Sequence, residues 1–128
     1  MDIDELKNSM QQYFSEQKNK MQKQAKEYAA GGKQWESELE MKKLGVYDMF
    51  GTMIEACALK AKMNPKYNGK DRTKAFAGEY LATLVTRSAE WKTGYALAKK
   101  NQNKQEMELE KLRLDTMQEI LEQFRKIL

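Results

Sequence analysis

A single proline, Pro65, divides this chain into two long blocks whose apolar residues recur at helical spacing. Proline removes a backbone donor and clashes with the preceding helical turn, so one proline in 128 residues leaves long uninterrupted helices open to the chain. No segment alternates apolar and polar residues with period two over a useful length, which argues against strands. Together these features predict an all-α fold: a bundle of four helices forming a single domain over residues 1–128, joined by a Gly-Gly turn and one basic loop. A chain of this length buries well over half of its unfolded surface, enough for a core without disulfide or metal staples.

The spacing predicts a first helix over about residues 2–30. Asp2 can cap it, with Glu5 three residues on in the capping-box position. Ile3, Leu6, Met10, Tyr13, Phe14, Met21, Ala25 and Tyr28 form one stripe, interrupted by Gln17. Gly31-Gly32 ends it, because glycine takes left-handed backbone angles at low cost. A second helix is predicted over 33–63, with Trp35, Leu39, Val46, Phe50, Met53 and Cys57 on its main face and Met41, Leu44 and Leu59 on the other. A helix apolar on two sides belongs at the centre of a fold or in an oligomer. Gly45 and Gly51 lie inside it, each costing about 1 kcal/mol relative to alanine, and Gly45 is a candidate break. The loop 64–72 follows, with Asn68-Gly69 as a turn dipeptide and Asp71 or Thr73 as the cap of a third helix over 74–99.

In that third helix Phe76, Ala77, Tyr80, Leu81, Leu84, Trp91 and Tyr95 share a face, and Glu79, Thr83, Thr86, Glu90 and Thr93 share the opposite one. The stretch from Lys99 to Gln105 has no apolar residue and reads equally as a loop or as exposed helix. A fourth helix is predicted over 105–128. Leu114, Leu121 and Leu128 stand seven apart in it with Met117 and Phe124 between them, a short heptad seam flanked by Ile120 and Ile127.

The chain has no histidine, so it lacks the commonest general base and the commonest transition-metal ligand. Glu36 and Glu40 are one helical turn apart, as are Glu106 and Glu110. Without histidine partners these read as solvated acidic faces, and neither a metal, a cofactor nor a catalytic residue is expected. Cys57 is the one cysteine, which excludes an intrachain disulfide and fits a reducing compartment. It sits mid-helix on an apolar stripe and reads as core. Gly31-Gly32-Lys33 has neither Walker spacing nor a preceding strand. The acidic start lacks the order of a secretory leader. The longest uncharged run, Asn8 to Ser15, is eight residues, against the roughly 20 a membrane span needs. A cytoplasmic protein without a membrane segment is expected.

The net charge of +4 is unevenly spread. Residues 64–104 hold nine Lys or Arg against Asp71, Glu79 and Glu90, while residues 105–128 are net acidic. Lys66, Tyr67, Lys70, Arg72 and Lys74 are therefore the candidate polyanion-binding residues: cations neutralise phosphate and an aromatic ring stacks on an unpaired base. Leu114, Met117, Leu121, Phe124 and Leu128 are the candidate oligomer interface. The sequence thus reads as a non-catalytic helical interaction module that acts by contact with a protein partner or with itself as a homo-oligomer. The alternative is nucleic-acid or nucleotide-phosphate binding through 66–74 and neighbouring lysines. In size and composition the chain is similar to small subunits or regulators of nucleic-acid-handling complexes.

Overall fold

Each block of helix-period sequence forms helix in the computed structural model, which describes residues 1–128. The chain is 89% helical with no strand. Its elements are α1 (Ile3–Ala30), α2 (Gln34–Met63), α3 (Gly69–Lys100) and α4 (Lys104–Ile127). No helix is long and apolar enough to cross a membrane.

The start of α1 is capped as its sequence predicts, with the Glu5 amide donating to Asp2 Oδ1 at 2.9 Å. Gly32, at φ 76°, makes the turn into α2. Contacts between these two helices run in opposite directions along the chain: Gln11 Nε2 donates to the Gly51 carbonyl at 2.9 Å and Ser37 Oγ donates to the Ala25 carbonyl at 2.8 Å. The pairs Trp35–Glu108 and Tyr47–Glu119 instead run in the same direction, so α2 and α4 lie parallel across the bundle. Close contact between α2 and α4 leaves α1 largely as a partner of α2 alone, and α3 and α4 pair as the second hairpin.

The core gathers where the four apolar stripes meet. Phe14, Tyr47, Phe50, Ile54, Phe76, Tyr80, Leu84, Ile120 and Phe124 are fully enclosed. Aromatic rings make the junctions. Tyr80 and Phe124 meet edge to face at 4.9 Å, and Phe14 and Tyr47 at 6.0 Å. On α2 the buried face differs from the expected one. Tyr47 and Ile54 are fully buried, whereas Trp35, Leu39 and Met53 are half-buried and Met41 and Leu59 face solvent.

Two points left open by the sequence close, and one boundary departs from its reading. First, α2 continues unbroken through Gly45. Second, α3 begins at Gly69, five residues before the expected start, with Asn68 as its N-cap. The residues between, Lys70 to Thr73, carry no apolar signal and yet lie inside the helix, so half of the expected basic loop is helix. Third, the polar stretch after Lys99 is a turn. Gln102 takes a left-handed φ of 56°, and Asn103 Oδ1 caps α4 by accepting from the Glu106 amide at 3.1 Å.

Gly45 offers a direct test of the unbroken α2. A Cβ built there meets nothing within 4 Å. Gly45→Ala should therefore stabilise the protein by about 0.5–1 kcal/mol, the usual alanine advantage inside a helix. Urea denaturation measures this, and a loss of stability would show that the backbone at Gly45 is not relaxed helix.

Candidate functional site

The expected basic loop resolves into two parts with different roles. Asn64 Oδ1 accepts from the Lys66 amide at 2.9 Å, closing a tight turn after α2. Arg72, on the first turn of α3, reaches back and donates from Nε to the Tyr67 carbonyl at 2.5 Å. This guanidinium is therefore engaged in holding the loop. Tyr67 is half-buried and lines a cleft of about 320 Å³ between α2 and α3, together with Cys57, Lys60, Ala61 and Gly78. The Lys60–Glu79 ion pair, at 2.8 Å, lies along the same cleft. Lys66, Lys70 and Lys74 are exposed and form no ion pair. Of the five candidate polyanion contacts, three lysines are thus free and two residues are engaged locally.

Cys57 lies in this cleft's floor as part of the core, 7% exposed, with its sulfur 4.0 Å from the Thr83 hydroxyl. Burial pushes its thiol up from the ordinary cysteine range, which keeps it protonated and unreactive. The sequence reading of Cys57 as a core residue matches its placement.

The heptad seam of α4 is corrected by the structure. Met117, Leu121 and Phe124 are buried against this chain's own α2 and α3, and Leu114 is half-buried. Only Leu128, at 54% exposure, faces solvent. A heptad seam and the inner stripe of an antiparallel bundle have the same spacing, so the pattern by itself does not distinguish a second copy from the rest of the fold. These residues do not offer a free oligomer face.

Two features went unread in the sequence. One is Glu110. It occupies the same seam, seven residues before Met117, and is only 6% exposed, not part of a solvated acidic face. Its Oε1 accepts from Arg113 at 2.8 Å, while Oε2 is buried with no partner. Burial raises its carboxyl above the ordinary range, Arg113 opposes that shift and Glu106 adds to it. The signal was the continuation of the seam through positions 110, 117 and 124.

The other is the outer face of α3. Gly78, Ala82, Val85, Ala89, Thr93 and Ala96 follow three-four spacing and are all exposed, Val85 by 60%. No charged residue interrupts that line. The threonine hydroxyls on and beside this face are satisfied within the helix: Thr86 donates to Ala82 O at 2.9 Å and Thr93 to Ala89 O at 3.1 Å. The face is therefore apolar in character, and its signal was the row Ala75, Ala82, Ala89 and Ala96 at intervals of seven.

No protein-family model, curated protein or solved structure matches this chain.

The corrected seam makes a prediction. Leu121→Glu with Phe124→Glu places two charges against Phe76 and Tyr80, where Phe124 now packs at 6.2 and 4.9 Å. Burying unpaired charge costs several kcal/mol per site, comparable to the whole stability of a domain. The double variant should lose its helical circular-dichroism signal at about 25 °C. A well-folded variant of lower mass would restore the seam as an oligomer face.

Proposed function

We propose that this chain is a non-catalytic helical module acting by protein contact, that the outer face of α3 is its contact surface, and that a second copy of the chain is the occupant. The observation that carries this reading is the uncharged line from Gly78 to Ala96 on a solvent-facing helix, in a chain of which 33% is charged. Such a face costs little to desolvate, and small side chains let a second helix approach closely.

The Lys74–Glu79 pair at its borders favours a second copy in parallel orientation over residues 75–89. With Ala75, Ala82, Ala89 and Ala96 as one seam position and Gly78 and Val85 as the other, Lys74 flanks one side and Glu79 the opposite side. Parallel packing about a two-fold axis sets Lys74 of one copy beside Glu79 of the other, twice over. The Gly78–Val85 position continues to Lys92 and Lys99, so the uncharged part of the seam ends at Ala89 and the parallel contact is confined to Ala75–Ala89.

This reading is tested by light scattering at tens of micromolar protein, roughly the range of weak dimers. Wild type should show dimer mass, and Ala82→Glu with Ala89→Glu should give monomer with unchanged helicity. Wild type that remains monomeric at about 100 µM, where a weak dimer is populated, defeats it.

A second reading rests on Lys66, Lys70 and Lys74, exposed and unpaired around the start of α3. In it this end of the bundle holds nucleic-acid phosphate. Each lysine contact to duplex DNA contributes about −0.9 to the slope of log affinity against log salt. Changing all three to Gln should flatten the slope by up to about 2.7, and Arg72→Gln should add little because that guanidinium already serves the loop. Equal slopes for wild type and triple variant, or no binding at low salt, remove this reading.

A further inference from the structure

Within a bundle, a core position on α4 is normally filled by an apolar side chain, and Glu110 holds such a position between Asn103, Leu114 and Met117 on the seam. The helix opposite makes room for it. A Cβ on Gly94 of α3 would lie 3.1 Å from the Glu110 carboxyl carbon and 3.3 Å from each of its oxygens. Gly94 sits in the interior of a 32-residue helix, where glycine costs about 1 kcal/mol relative to alanine. The two residues therefore form a matched pair: the carboxyl reaches the α3 backbone because no side chain stands in the way.

The carboxyl is incompletely served. Arg113 satisfies Oε1, and Oε2 has neither a donor nor water access. An ionised oxygen in that position is an uncompensated acceptor, whereas a protonated carboxyl there is neutral and can donate to a neighbouring oxygen. The groups acting on it are both on its own helix, Arg113 one turn toward the C-terminus and Glu106 one turn toward the N-terminus. From α3 it meets Gly94 and no charge, and no ionisable group of α1 or α2 contributes. The Glu106 carboxylate, one turn away, adds to the effect of burial in favouring the protonated form of Glu110.

We propose that Glu110 against Gly94 is a proton-operated latch on the turn-side half of the α3–α4 hairpin. With the proton held, the two helices close at full contact. Without it, the buried carboxylate draws in water and loosens the hairpin between Trp91 and Ala98 on one side and Glu106 and Leu114 on the other. The sign follows from burial raising the carboxyl in the folded state. The contribution to stability is complete below the ordinary carboxyl value of 4.5 and is lost as pH rises through the higher value of the folded protein.

The test compares urea unfolding of wild type and Glu110→Gln from about pH 4 to pH 8, a span that brackets the ordinary carboxyl range and neutrality. Glutamine keeps the shape and the Arg113 contact but cannot ionise. The ratio of folding equilibrium constants, variant over wild type, should rise with pH in favour of the variant, by at most about tenfold per pH unit for one proton. A ratio independent of pH overturns the latch. Amide exchange locates the effect. On acidification from neutral pH, protection of residues 91–98 should increase in wild type relative to Glu110→Gln, with α1 unchanged. A gain spread evenly over the four helices also overturns it. Gly94→Ala gives an independent check, because it should destabilise wild type and be tolerated when combined with Glu110→Ala.

Discussion

The burial of α2 on three sides is the constraint on which the bundle depends. Tyr47, Phe50 and Ile54 are fully enclosed, and from them the helix reaches α1 through Phe14, α3 through Trp91 and Tyr80, and α4 through the Tyr47–Glu119 hydrogen bond. Each fully buried side chain of this size contributes about 1.5–3 kcal/mol relative to exposure. The two hairpins, α1–α2 and α3–α4, therefore meet across α2, and α1 has little contact with the second hairpin except through it. This explains why α2 is apolar on more than one side: a helix with neighbours on three sides has no wide polar face to spare.

The polar groups that the bundle encloses show how it tolerates them. Tyr80 donates its hydroxyl to the Phe50 carbonyl at 3.0 Å, and Thr116 donates to the Leu112 carbonyl at 2.7 Å. A hydroxyl needs only one such acceptor to be buried at small net cost. The price for a carboxylate is far higher, since it brings a charge and several acceptor sites and a single arginine contact leaves part of that unmet. Glu110 is thus different in kind from the other buried polar residues. The bundle adapts to it by removing a side chain from α3 at Gly94, not by supplying a second donor.

The fold was legible in the sequence where burial repeats, and less so where it does not. The stripes of α1 and α4 segregate apolar from polar residues cleanly, and both helices lie where the period put them. At the start of α3, Lys70, Asp71, Arg72 and Thr73 are compatible with helix but bury nothing, so the first apolar residues, Ala75 and Phe76, set the expected boundary too late. The turn after Lys100 did carry a signal, Asn103 with Glu106 three residues on, the N-cap and N3 pair. Of the candidate sites, the free lysines 66, 70 and 74 were legible because exposure follows from charge. The stripe expected as an oligomer interface is core, because spacing records that a stripe is buried and does not record by what. Glu110 was misread because its charge outweighed its position, although it lies on the same seven-residue line as Met117 and Phe124.

The outer face of α3 raises a question that the monomer alone does not answer. A Cβ at Gly78 would meet nothing within 4 Å, so the fold of one chain has no steric need for glycine there. Lysine or glutamate at 78, 82 and 89 would match alanine closely in helix propensity, exceed glycine, and add solubility. Gly94 offers the contrast: it faces inward, where a carboxyl group fills the space its side chain would occupy. An interior glycine explained by what touches it, and an exterior glycine touched by nothing, lie on one helix four turns or so apart. What Gly78 and its alanine neighbours provide is room for close approach from outside. In a bundle whose other exposed faces are dense with lysine and glutamate, that row is the exposed helix face that costs least to desolvate.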